Sequence, residues 1–117
     1  MKILVVGYGR VGSQVVRLLR GQDHSIVVLD KDRSALEKAV EDSRVKVLNG
    51  DSTDPDMLRK AGVETADVLL ALTREENTNL MAAQIAKTAF HVPKAIAMIY
   101  DPQREQTSGR MAGAPIG

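Results

Sequence analysis

Lys2-Ile-Leu-Val-Val-Gly-Tyr-Gly-Arg-Val-Gly12 decides how the rest of the chain is read. Lys2 to Gly7 is a short apolar run, rich in branched side chains and ending on glycine, as expected of a strand buried on both faces. Gly7-Tyr8-Gly9-Arg10-Val11-Gly12 then spells G-x-G-x-x-G ahead of an apolar stripe at helical spacing, Val11, Val15, Val16, Leu18 and Leu19, that stops at Gly21. In such a turn the first glycine makes the bend, the second lets a pyrophosphate reach the backbone, and the third lets the helix pack close to the strand. The helix start adds free N–H groups and partial positive charge for phosphates.

Working outward, Ile26 to Asp30 repeats the buried-strand pattern, and Ser34-Ala-Leu-Glu37 reads as a capping box opening a short helix through about Glu41. Val45 to Asn49 is a third strand; Asp54-Pro55 caps a helix that Gly62 closes. Ala66 to Leu72 is a fourth strand, Glu75 to Phe90 a longer helix with apolar Leu80, Met81, Ala83 and Ile85, and Ala95 to Ile99 a fifth strand. Alternation of this kind predicts an α/β fold, a Rossmann-like doubly wound parallel sheet of five strands ordered 3-2-1-4-5. The pattern stops after Asp101-Pro102, so residues 1–102 are expected to form the domain and 103–117 a flexible tail, with a short helix over Pro102 to Thr107 as the alternative. Strand five is then an open edge carrying Ile96, Met98 and Ile99, and self-association is expected.

Composition narrows the function. A chain of 117 residues has no room for this module plus a separate substrate domain. Sixteen Lys and Arg are interleaved with fifteen Asp and Glu, and only Tyr8, Phe90 and Tyr100 are aromatic, so no nucleic-acid partner is expected. The absence of cysteine excludes a disulfide framework, a thiolate zinc site, an iron–sulfur cluster and a cysteine nucleophile, and suits a reducing cytoplasm. Ile3 to Gly7 is too short for a signal peptide, and no stretch reaches the roughly 18 apolar residues of a membrane span.

Candidate binding residues gather at the strand ends. Asp30 follows the glycine loop at the end of strand two, where its carboxylate can accept hydrogen bonds from both ribose hydroxyls. Asp51 and Ser52, in Asn49-Gly-Asp-Ser-Thr53, follow strand three and either flank an adenine ring or simply cap the next helix. Thr73 ends strand four, with a helix-start role as its alternative. Arg10 stands beside the phosphate site, where a guanidinium makes planar bidentate contacts. Catalytic groups are not expected: His24 and His91 fall in turns, no lysine lies four residues after Tyr8 or Tyr100, and neither metal-spaced histidines nor a Gly-x-Ser-x-Gly elbow occurs. The pattern suits a domain that holds a nucleotide; a small NAD(P)-dependent oxidoreductase is the alternative.

Six blocks in order carry a resemblance: the glycine-loop segment, Val28-Leu-Asp-Lys31, Asn49-Gly-Asp-Ser-Thr53, Leu58-Arg-Lys-Ala-Gly-Val63, Ala66-Asp-Val-Leu-Leu-Ala-Leu-Thr73 and Asn79-Leu-Met-Ala-Ala83. Over Met1 to about Pro102 the chain resembles TrkA-N or KTN domains, the N-terminal lobe of the regulators of potassium conductance. The resemblance implies a cytoplasmic sensor of NAD(H), or alternatively of ATP or ADP. As a homodimer or larger ring at the inner face of the membrane, it would gate a potassium channel or transporter. It also implies that Gly7, Gly9 and Gly12 face the phosphates, Asp30 the ribose, Asp51 and Ser52 the adenine, and Thr73 the far end. With Tyr8, Arg10, Val11 and Lys31 in the same motifs, these form the candidate nucleotide-binding set. The family's further helix, Leu-Gly turn and sixth strand are not recognisable after Asp101-Pro102.

Overall fold

A computed structural model describes residues 1–40 and 43–100, together with the backbone of 112–115. The elements follow as β1 (Lys2–Val6), α1 (Arg10–Leu19), β2 (Ser25–Asp30), α2 (Arg33–Val40), β3 (Val45–Asn49) and α3 (Pro55–Lys60). After a short 3-10 turn (Val63–Thr65) come β4 (Val68–Ala71), α4 (Glu76–Thr88), β5 (Lys94–Ile99) and β6 (Ala112–Pro115). The first five strands are parallel in the expected order 3-2-1-4-5. β1 is central because its branched residues suit burial on both sides: Val5 pairs with Val28 of β2 and with Leu70 of β4.

Strand alternation divides the core in two. Ile3 and Val5 point to one face with Val16 of α1, Leu36 of α2, Ile26 and Val28. Leu4 and Val6 point to the other, with Leu58 of α3, Leu29, Leu69 and the alanines of α4. α4 differs from its sequence reading. Its buried line is Asn79, Ala82, Ala83 and Ala86, whereas Met81 is half exposed and Leu80 and Ile85 pack only in part. Small side chains let the helix backbone approach the sheet, so the larger apolar residues flank the contact.

Two further differences have local causes. α2 begins at Arg33, so Ser34 lies inside the helix; the cap is Asp32, whose Oδ1 accepts from the Ser34 N–H at 3.0 Å and the Ser34 hydroxyl at 2.7 Å. The second is the sixth strand, where no strand was expected. The backbone of Ala112–Pro115 pairs antiparallel with β5, Ile96 opposite Pro115 and Ile99 opposite Ala112. The outer edge of β5 is therefore occupied, which removes the open-edge argument for self-association. The alternative helix over Pro102 to Thr107 lies outside the described residues.

Candidate functional site

The strand order reverses at β1, so the chain leaves its carboxyl end toward β2 on one side while β4 approaches from the other. A crevice must open there. A cleft of about 900 Å³ occupies it, lined by Gly7, Gly9, Arg10 and Val11 of the loop, Asp30 to Asp32 after β2, Gly50 to Thr53 after β3, Leu72 to Glu75 after β4, and Tyr100 after β5.

The glycines of the loop have different tasks. Gly7 has φ of +98°, and a Cβ there would stand 3.0 Å from the Thr73 backbone nitrogen, so both turn and close packing require glycine. At Gly12, buried in the first turn of α1, a Cβ would fall 1.9 Å from the Gly7 carbonyl oxygen. Gly12 sets how closely the helix approaches the loop and does not line the cleft. At Gly9, which does line it, a Cβ would meet no atom within 4 Å. The space above Gly9 is thus open for a ligand to approach the backbone.

Asp30 ties the loop to β2. Its Oδ2 accepts from the Tyr8 N–H at 2.7 Å and its Oδ1 from the Asp32 N–H at 2.8 Å. A carboxylate has about four acceptor positions, so two remain for a ligand. Tyr8 takes part through its backbone, while its side chain packs with the β1–α1 core. Asp51 accepts from the Thr53 N–H and hydroxyl through Oδ1, at 2.8 and 2.7 Å. The Thr53 hydroxyl, then its N–H, hold the Asp51 carboxyl below its ordinary range, with Lys31 assisting. Ser52 is 6% exposed, and it lines the same wall.

The β4 side is fixed by a buried asparagine. Asn79, fully buried, donates from Nδ2 to the carbonyls of Thr73 and Met98, each at 2.9 Å. Its Oδ1 accepts from the Thr73 N–H at 2.9 Å and hydroxyl at 2.6 Å. Four contacts use the whole amide, locking the β4–α4 turn against the end of β5. The Thr73 hydroxyl in turn accepts from the Glu75 N–H at 3.1 Å.

Of the candidate set, Gly7, Gly9, Arg10, Val11, Asp30, Lys31, Asp51, Ser52 and Thr73 line one cleft; Tyr8 and Gly12 support it from behind. The sequence reading missed Asp32, Arg74, Glu75, Thr78 and Tyr100 in its wall. All but Thr78 lie within four residues of the carboxyl end of a parallel strand, and that position was the available signal. His24 and His91 lie elsewhere. Among the described residues no group of His, Cys, Asp and Glu is arranged to hold a metal, and no helix is long and apolar enough to cross a membrane.

The TrkA-N domain profile matches residues 3–116. The chain belongs to the TrkA-N family. The match continues past Pro102, where the sequence resemblance faded, and includes β6. This TrkA-N chain is 35% identical over 103 residues to the Trk system potassium uptake protein TrkA of Vibrio alginolyticus, covering 88% of this chain and 22% of that protein. It is 34% identical over 111 residues to the protein of the same name from Streptomyces coelicolor, covering 95% of this chain and 50% of the relative. The chain thus spans half or less of these relatives. Among solved structures, the Shewanella denitrificans Kef CTD in AMP-bound form superposes with a TM-score of 0.68 at 28% identity, covering 78% of this chain and 54% of that one. The TrkA-N domain of the Escherichia coli inner membrane protein ybaL superposes at 0.73 with 23% identity, covering 80% and 69%, and shares the fold.

Proposed function

We propose that this TrkA-N domain is a regulatory module that binds an adenine nucleotide in the cleft over the glycine loop. The observation that carries the reading is Asp30, which holds the loop through Tyr8 and keeps acceptor positions toward the cleft, as a ribose-binding carboxylate would. The AMP-bound Kef relative supports the ligand class. Adenosine lies toward Asp30, Asp51 and Ser52, the phosphates over Gly9 and the start of α1, and the remainder of the ligand toward Thr73. NAD(H) fits the glycine spacing and ribose aspartate; ATP or ADP is the alternative, favoured by Arg10 beside the phosphates.

The TrkA relatives carry the proposal to a partner, a membrane potassium transporter or channel. In this reading the domain lies at the cytoplasmic face within a dimer or larger ring and acts by differential affinity: ligands that prefer different states of the cleft bias the assembly. In this reading the domain binds the nucleotide without turning it over. Calorimetric titration with NAD, NADH, ATP, ADP and AMP tests the site. Binding of at least one, lost in Asp30→Ala, is expected; binding of none overturns the reading. Oxidation of NADH, followed by nicotinamide absorbance with a panel of carbonyl compounds, would replace regulation by catalysis.

A further inference from the structure

An ion pair spans the mouth of the cleft. Lys31 leaves the end of β2, Glu75 stands at the N-cap of α4, and Lys31 Nζ and Glu75 Oε1 meet at 2.5 Å although 44 residues separate them in sequence. Because β2 and β4 lie on opposite sides of β1, the pair straddles the crevice created by the strand reversal. Both residues line the cleft.

Glu75 is held in place by groups other than its own side chain. Its N–H donates to Thr73 and its carbonyl accepts from the Asn79 N–H at 3.0 Å, while its carboxylate makes no capping contact to α4. The Glu75 backbone is thus anchored to the Thr73–Asn79 network, and its carboxylate is left to Lys31. Asp30 and Asp51 also act on the Lys31 charge, while Arg10 at the start of α1 and Arg74 beside Glu75 line the same cleft. The lining holds four carboxylates against three cations. While Lys31 is paired with Glu75, two of the three cations of the lining, Arg10 and Arg74, stand without the Glu75 carboxylate.

The geometry points to Glu75 as the residue that selects the class of nucleotide, by competing with the ligand's phosphate for Lys31. The inference rests on the adenine-nucleotide reading above. A terminal phosphomonoester carries more than one negative charge near neutral pH and three acceptor oxygens, so it outcompetes a single carboxylate. A bridging phosphate of a dinucleotide carries one charge, and exchanging Glu75 for it gains nothing. The pair is 65% and 57% exposed, hence weak enough to exchange. A mononucleotide such as ADP therefore opens the strap and frees the α4 N-terminus from the β2–α2 turn, whereas NAD binds beneath a closed strap. Two ligand classes leave one cleft in two states, which is the differential contact a switch requires.

The test is calorimetric titration of the whole chain and its Glu75→Gln and Lys31→Gln variants with ADP and with NAD at low salt. Glu75→Gln is expected to tighten ADP about threefold to fivefold and NAD less than twofold. In a Lys31→Gln background the same substitution should bring no ADP gain, and at about 0.5 M salt the gain should vanish. Both side chains are exposed and neither caps a helix, so circular dichroism should show unchanged folds. Equal effects on ADP and NAD, or no effect of Glu75→Gln on a protein that binds them, overturn the inference alone. Failure of the unsubstituted chain to bind either ligand, or AMP or ATP, overturns the nucleotide reading and the inference with it.

Discussion

At the scale of single residues, two glycines of one motif separate folding from binding. Gly12→Ala forces a Cβ against the Gly7 carbonyl, and backbone cannot swing aside as a side chain would. A loss of at least about 2 kcal/mol is expected, read as a lowered urea midpoint. Gly9→Ala meets open space, so its midpoint should stay within about 0.5 kcal/mol of the parent while nucleotide affinity falls, because the added methyl enters the path to the phosphates. Equal stability of the two variants would contradict this division. Arg10 lies at the first position of α1, where the helix dipole disfavours a cation unless an anion joins it. Arg10→Gln should lower ATP and ADP affinity about tenfold, on the order of 1.4 kcal/mol, and NAD affinity less. Loss of NAD binding with ATP binding intact would show that Arg10 does not read a terminal phosphate.

At the scale of elements, the cleft depends on how turns are fastened to strands. The Asn79 amide fastens the β4–α4 turn to β5. Asn79→Leu strands the carbonyls of Thr73 and Met98 in a buried place, and a loss of about 3 kcal/mol is expected by denaturant unfolding, with weaker nucleotide binding in whatever remains folded. A loss no larger than that of a surface substitution would mean that the network is dispensable. The turns after β2 and β3 are fastened by carboxylates instead. Ser34 and Thr53 lower the pKa values of Asp32 and Asp51 by hydrogen bonding to the ionised forms, hydroxyl first and N–H second. Depressed carboxylates stabilise the fold fully above their ordinary value of 3.8 and lose that contribution as pH falls below it. Urea midpoints measured at about pH 6 and pH 3 should therefore differ less in a Ser34→Ala/Thr53→Ala variant than in the parent. An unchanged difference would assign the acid sensitivity elsewhere.

At the scale of the whole molecule, β6 changes what the sheet presents to other molecules. With β6 in place, β5 is paired on both sides; deletion of residues 112–117 bares its outer edge. The truncated chain should self-associate with concentration in analytical ultracentrifugation more strongly than the full chain, since an unpaired strand templates pairing. Indistinguishable sedimentation would show that β6 does not protect that edge. The sequence by itself determined the parallel strand order, the glycine loop and the positions of Asp30, Asp51 and Thr73. These are local signals: branched apolar runs, a glycine pattern and alternation of elements, each readable without knowing what lies opposite. The sequence also misled locally. Ser34 has the spacing of a capping residue, but Asp32, two residues earlier, takes the cap by accepting from the N–H of Ser34 itself. On α4 hydrophobicity pointed to Leu80, Met81 and Ile85 as well as Ala83, while close approach to the sheet buried Ala83 with Asn79, Ala82 and Ala86. Only the tertiary structure decided that Ala112–Pro115 joins β5, that a buried asparagine holds the Thr73 turn, and that Lys31 meets Glu75 across the cleft. Each joins residues far apart in the chain or depends on a helix's distance from the sheet, and such pairings arise from packing that periodicity and local propensity do not encode.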